Sequence, residues 1–75
     1  MSGERYYHFN LNIDPEELMR LYRGSVHRLR ARSLEGVVVD LDANHLRSFT
    51  TRSGIQGRFR LVVTAQNKFI RLERI

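Results

Sequence analysis

The sequence predicts an α+β domain: a small curled antiparallel sheet or partly open barrel of about five strands, with one helix after the first strand. Three observations carry this reading. Apolar and polar residues alternate with period two in several short stretches. One stretch between them switches to helical spacing behind a capping signal. Turn residues then separate the later strands at hairpin distance. The length of 75 residues fits a single small domain over residues 1–75. A domain of this size buries only roughly 60% of its unfolded surface, and self-association is a common remedy.

The first strand is read over Arg5 to Ile13, with Tyr7, Phe9, Leu11 and Ile13 on one face and Tyr6, His8, Asn10 and Asn12 on the other. Asp14-Pro15-Glu16-Glu17 then marks a helix start: an N-cap acceptor, a proline suited to the first helical position, and a glutamate three residues after the cap. Leu18, Leu21 and Tyr22 share a helical face, Arg20 and Arg23 complement the C-terminal dipole, and Gly24 is expected as the left-handed residue after the helix.

Val26 to Ser33 alternates again and faces Val37 to Leu41 across Leu34-Glu35-Gly36, with Gly36 at the left-handed loop position. This register sets Ala31 against Val39 and Leu29 against Leu41 on the apolar face. It sets Arg30 against Asp40 and Arg28 against Asp42 on the other. A one-residue slip would destroy both patterns. Leu46 and Phe49 predict one helical turn capped by Asp42 or Asn44, and Thr50 to Gln56 is a polar connection turning at Gly54. A second hairpin joins Gly57–Ala65 to Lys68–Ile75 around Gln66-Asn67, pairing Val63 with Ile70, Leu61 with Leu72 and Arg60 with Glu73. The inner face is expected to hold Tyr7, Phe9, Leu11, Leu29, Ala31, Val37, Val39, Leu41, Phe59, Leu61, Val63, Ile70 and Leu72.

Five spaced motifs resemble one short bacterial family, domain of unknown function 2835. They are Tyr6-Tyr7-x-Phe9, Leu21-Tyr22-x-Gly24, Asn44-His45-Leu46-Arg47-x-Phe49, Gly54-Ile55-x-Gly57-x-Phe59, and Lys68-Phe69-x-x-Leu72-Glu73-Arg74-Ile75. The resemblance covers nearly the whole chain and implies a free-standing protein without an assigned activity. It brings no functional residues with it. Asp42-Ala43 stands where the family pattern has Pro-Ala.

Composition narrows the function. The chain is 41% hydrophobic and 28% charged, too apolar for simple disorder. No apolar run approaches the ~20 residues of a membrane helix. Met1 to Arg5 carries no apolar stretch, so no signal peptide is expected. Without cysteine, disulfide and thiolate–metal chemistry are excluded. A cytoplasmic location follows as the default. The serines lie in no GxSxG context, and the acids are accounted for by helix capping and cross-strand pairing, so no enzyme is expected. A pocket of ~300 Å³ is hard to build from so small a core. His8, His27 and His45 show no metal-ligand spacing, and no cofactor is expected.

Thirteen basic residues against eight acidic ones give a net charge of +5, and twelve of the thirteen are arginine. Coding bias in the source genome would produce the same excess. Arg28, Arg30 and Arg32 project from one face of a strand over ~13 Å, but Asp40 and Asp42 lie opposite. No acidic residue falls between Asp42 and Glu73. Arg47, Arg52 and Arg58 of that stretch, together with Arg32, are therefore the candidate contacts for nucleic acid or another polyanion. Hydroxyls at Thr50, Thr51 and Ser53 and the glycines Gly54 and Gly57 add the parts anion sites use. Val38, Val62 and Phe69, apolar on the predicted outer face, are the candidate interface for a protein partner or a homodimer. Arg28-x-x-x-Arg32 also resembles the first half of the cyclic-dinucleotide-binding PilZ motif. The second half would start at Asp40, where Asp42 replaces Ser and His45 replaces Gly.

Overall fold

The computed structural model describes residues 3–24 and 27–75. The first strand, β1, runs over Arg5–Ile13 as the alternation predicts, with Phe9, Leu11 and Ile13 buried and Asn10 and Asn12 exposed. Helix α1 spans Pro15–Arg23, and the Asp14 carboxylate accepts from the Glu17 amide at 2.8 Å, fixing the start. Its end differs from expectation. Gly24 is the C-cap in extended conformation, φ −69° and ψ 164°, and donates to the Arg20 carbonyl. The chain therefore leaves the helix straight into a connection, not through a left-handed turn.

Strands β2 (Arg28–Arg32) and β3 (Val38–Asp42) pair in the predicted register, with Leu29 opposite Leu41 and Ala31 opposite Val39. Val26, read as part of that strand, lies outside the described residues. Gly36 takes φ +85° in the loop, which Ser33 and Val37 close. A 3₁₀ helix, Ala43–Phe49, follows directly, capped by Asp42 through the Asn44 amide at 2.9 Å. Leu46 and Phe49 point into the core as their spacing requires, and the Phe49 ring meets Phe59 edge-on at 5.2 Å.

Strand β4 runs over Ile55–Val63 and β5 over Phe69–Arg74. The second strand pair thus starts earlier and ends earlier than the sequence suggests, because Gly57 sits inside β4. The loop between them also differs. Thr64 and Lys68 close three residues, with Asn67 left-handed at φ +65°. Asparagine tolerates that region better than most residues. A three-residue loop puts Val63 opposite Phe69, whereas Val62 lies opposite Arg71 and Leu61 opposite Leu72. A β-bulge between Val62 and Val63 absorbs the difference of one residue. Ile70, expected inside, is exposed as a result; Val37, also expected inside, is exposed because it lies at the β2–β3 loop, ahead of β3.

The strands form two sheets, β1-β4-β5 and β2-β3, where a single five-stranded sheet was expected. The reason lies at the free edge of β1. There the Leu34 amide donates to the His8 carbonyl at 2.6 Å. The His8 amide donates in turn to the Glu35 carboxylate at 2.9 Å. A side-chain carboxylate occupies the place of the next strand's carbonyl, so the β2–β3 hairpin docks by its loop and no ladder forms. The core fills the space between the sheets: Phe9, Leu11, Leu18, Leu41, Leu46 and Phe59 are among its buried members, with Leu21, Tyr22 and Leu29 packed against it. Burying each large apolar side chain contributes about 1.5–3 kcal/mol, which holds a nine-residue helix too short to persist alone. No helix among the described residues is long and apolar enough to cross a membrane.

Candidate functional site

Most carboxylates are engaged within the fold. Glu16 pairs with Arg20 at 3.5 Å, Asp40 with Arg28 at 3.1 Å, and Glu73 with Arg60 at 2.7 Å and Arg71 at 3.1 Å. Asp14 and Asp42 cap helices, and Glu4 accepts from the Tyr6 hydroxyl. Of the thirteen cations, four are ion-paired, leaving nine without a carboxylate partner among the described residues. Arg32, Arg47, Arg52 and Arg58 are among the nine.

Those four do not meet at one point. Arg47 leaves the 3₁₀ helix, donates to the Asn44 side chain at 2.9 Å and lies over the Tyr22 ring, 4.8 Å from its centroid. The Tyr22 hydroxyl shares a 2.8 Å hydrogen bond with Thr50. Arg52 sits at the tip of a tight turn, Thr51 to Gly54, that the Thr51 hydroxyl stabilises by bonding the Gly54 carbonyl. A shallow groove of about 270 Å³ runs between α1 and this turn, with Tyr22, Thr50, Thr51 and Arg52 along it and Leu18 and Met19 as its apolar floor. Arg52 therefore lines this groove, and Arg47 stands beside it over the ring of Tyr22. Arg58 does neither: it projects from the outer face of β4 and donates to Asn10 on β1 at 3.3 Å. Arg32 ends β2, beside Val38. Tyr22, which the helical spacing assigns to the core, is the member that sequence reasoning missed. Its ring packs on the core while its hydroxyl reaches a residue 28 positions away, a contact no local pattern encodes.

The outer face of the larger sheet carries a second cluster. Glu73 bridges Arg60 and Arg71, and these two guanidinium groups hold its carboxyl below the usual range, Arg60 contributing most. Val62 lies under this layer, fully buried between Tyr6 and Arg71 on the neighbouring strands yet apart from the main core. The expectation that Val62 offers an exposed interface is corrected: an apolar residue in the central strand is covered by the long side chains around it. Val38 and Phe69 do remain exposed, at 52% and 42%. The bulge turns Phe69 away from the outer face and onto His45, with ring centroids 3.7 Å apart and planes within 6°. Both residues line a cleft of about 340 Å³ between β3 and β5, floored by Tyr7, Leu61 and Val63. The small core does therefore leave a pocket of the size sequence reasoning held to be hard to build.

The basic strand departs from its predicted pairing. The Cα register is as expected, but Arg28 reaches diagonally to Asp40, because Asp42 is committed to the 3₁₀ helix. Arg28 and Arg32 thus do not present a matched pair of free guanidinium groups. The histidines stay separate: His8 on Glu35 at 2.7 Å, His27 on the Leu21 carbonyl at 3.1 Å, His45 on Phe69. Hydrogen bonds from His8, its backbone amide first, hold the Glu35 carboxyl below its ordinary value.

Residues 5–75 match the family described as Protein of unknown function (DUF2835). The chain belongs to that family. No curated protein and no solved structure matches it. The fold gives reasons for the motifs of this DUF2835 chain. Gly57, at φ +136°, lies under the Arg74 guanidinium, which bonds the Gln56 carbonyl at 2.9 Å and covers the Phe59 ring. A Cβ at position 57 would stand 3.2 Å from that guanidinium. The glycine step and the closing Leu-Glu-Arg-Ile are thus two halves of one contact. Asp42 supplies the 3₁₀ cap.

Proposed function

We propose that this DUF2835 chain is a non-enzymatic, cytoplasmic binding domain that contacts nucleic acid or another polyanion, with Arg47 and Arg52 as the principal phosphate contacts. The observation that carries the reading is the groove between α1 and the Thr51–Gly54 turn. Arg52 lines it and Arg47 lies over the ring of Tyr22 beside it, both without a carboxylate partner among the described residues. Guanidinium donors suit phosphate oxygens, and contacts of this kind position a backbone without reading bases. Arg58 and Arg32 lie off the groove and add long-range attraction through the net charge.

Titrating single-stranded RNA and duplex DNA at two salt concentrations tests this. Two phosphate contacts predict a slope of log affinity against log salt of about −1.4 to −1.8, and Arg52→Glu removes about 0.7–0.9 of it. Absence of binding to either probe at low salt ends the proposal.

A second reading, a protein-interaction or homodimerising module, is supported by Val38 and Phe69 sharing the β3–β5 cleft. Val62 contributes nothing to it.

A further inference from the structure

We propose that the β3–β5 cleft receives an extended segment of a partner protein, apolar on one side and acidic on the other, added to β3 as a further strand. This rests on the second reading above and names its occupant. Three observations converge. Among the described residues, strand β3 pairs with β2 alone and β5 with β4 alone, so the edges facing the cleft carry backbone donors and acceptors with no strand opposite. The cleft floor is the inner face of the larger sheet, Tyr7, Leu61 and Val63, and exposed Val38 and Phe69 stand at its two walls. An added strand places alternate side chains on that floor while its backbone completes β3, the arrangement of strand-addition recognition.

Charge selects the sign of the segment. Arg32, the cross-strand neighbour of Val38, and Lys68, next to Phe69, have no carboxylate partner among the described residues. Arg28 and Asp40, also on the cleft, neutralise each other. Arg32 and Lys68 adjoin the lining residues without themselves lining the cleft, so the surface around it is net positive and favours carboxylates on the outward positions. A second copy fits less well. It brings the same +5 charge, and each of its free edges is backed by its own sheet, so it cannot lay a single strand into the cleft.

The test uses the full chain and two capped synthetic peptides of about seven residues, one alternating valine with glutamate and the other valine with lysine. The glutamate peptide is expected to bind at least about tenfold more tightly than the lysine peptide and to slow amide exchange along Val38–Asp42. Val38→Glu is expected to weaken it about tenfold, and Lys68→Glu to narrow the difference between peptides several-fold. Both positions are exposed, and melting temperatures confirm that the variants fold. Equal binding of the two peptides, or binding that leaves β3 exchange unchanged, overturns the proposal. Sedimentation separates it from the reading beneath it. No peptide binding together with a dimer that Val38→Glu dissociates overturns the peptide occupant and keeps the interaction surface. No binding and a strict monomer remove both.

Discussion

Gly36 and Gly54 have nearly the same backbone conformation, φ +85° and φ +91°, and opposite surroundings. A Cβ at Gly36 meets nothing within 4 Å. At Gly54 it would overlap the Ile13 carbonyl oxygen and stand 2.9 Å from the Asp14 carbonyl carbon. Both Gly→Ala changes carry the left-handed penalty of an L-residue, about 1–2 kcal/mol. Gly54→Ala adds an overlap with backbone, which cannot rotate away as a side chain can. The obstacle is the junction of β1 and α1, held by the β1–β4 ladder on one side and the Asp14 cap on the other. Overpacking of this kind costs a further 1–3 kcal/mol or so. The totals are about 1–2 kcal/mol for Gly36→Ala and about 2–5 kcal/mol for Gly54→Ala, against about 4–11 kcal/mol for a whole domain of this length. At roughly 4–8 °C per kcal/mol, Gly54→Ala lowers the melting temperature by about 8–40 °C or leaves the chain unfolded, while Gly36→Ala lowers it by about 4–16 °C. Urea and thermal denaturation followed by circular dichroism read both. Equal losses in the two variants would refute the reasoning, since only the contact with Ile13 and Asp14 distinguishes them.

Three further predictions concern the same fold. Glu35 has a folded pKa below its unfolded value near 4.5, so its stabilising effect is present above that pH and is lost as pH falls through the folded pKa. Glu35→Gln should flatten the acid side of the stability profile, and an unchanged profile would mean that the His8 contacts do not link the sheets. Val62→Ala should destabilise by about 1–3 kcal/mol without altering the sedimentation mass; a change in mass with stability retained would return Val62 to the surface. Asn67→Gly should raise stability by up to about 1 kcal/mol, since glycine enters the left-handed region without penalty. A loss in chemical denaturation would show that the asparagine side chain matters to the loop.

Much of the fold was legible where two signals agreed. In the β2–β3 hairpin, loop glycine, apolar alternation and charge all specify one register, and the structure has it. The same holds for α1, where Asp14, Pro15 and the Leu18, Leu21 and Tyr22 face coincide. At Gln66-Asn67 the alternation and the Arg60–Glu73 pair spoke, but no turn residue fixed the loop length. They gave the ladder from Leu61 outward but missed the three-residue loop, because a bulge restores the register that the loop displaces. One displaced residue moved Phe69 from the outer face to the cleft. Local periodicity was right on both sides of the error and blind to it.

The candidate site shows the same limit in electrostatic form. Sequence counts find an acid-free stretch; of its five arginines, Arg47, Arg52 and Arg58 lack carboxylate partners among the described residues, whereas Arg60 and Arg71 fold back onto Glu73. Whether they act together depends on where backbone geometry sends them. Arg58 is on a strand, so its direction is fixed by the parity of β4, opposite Asn10 and away from the groove. Arg47 and Arg52 are on a 3₁₀ helix and a turn tip, and they arrive at Tyr22 only because Leu46 and Phe49 anchor that helix in the core. The packing that buries Leu46 thus also sets the position of the groove's guanidinium groups. Loosening it with Leu46→Ala should blur phosphate contact before it removes any charge.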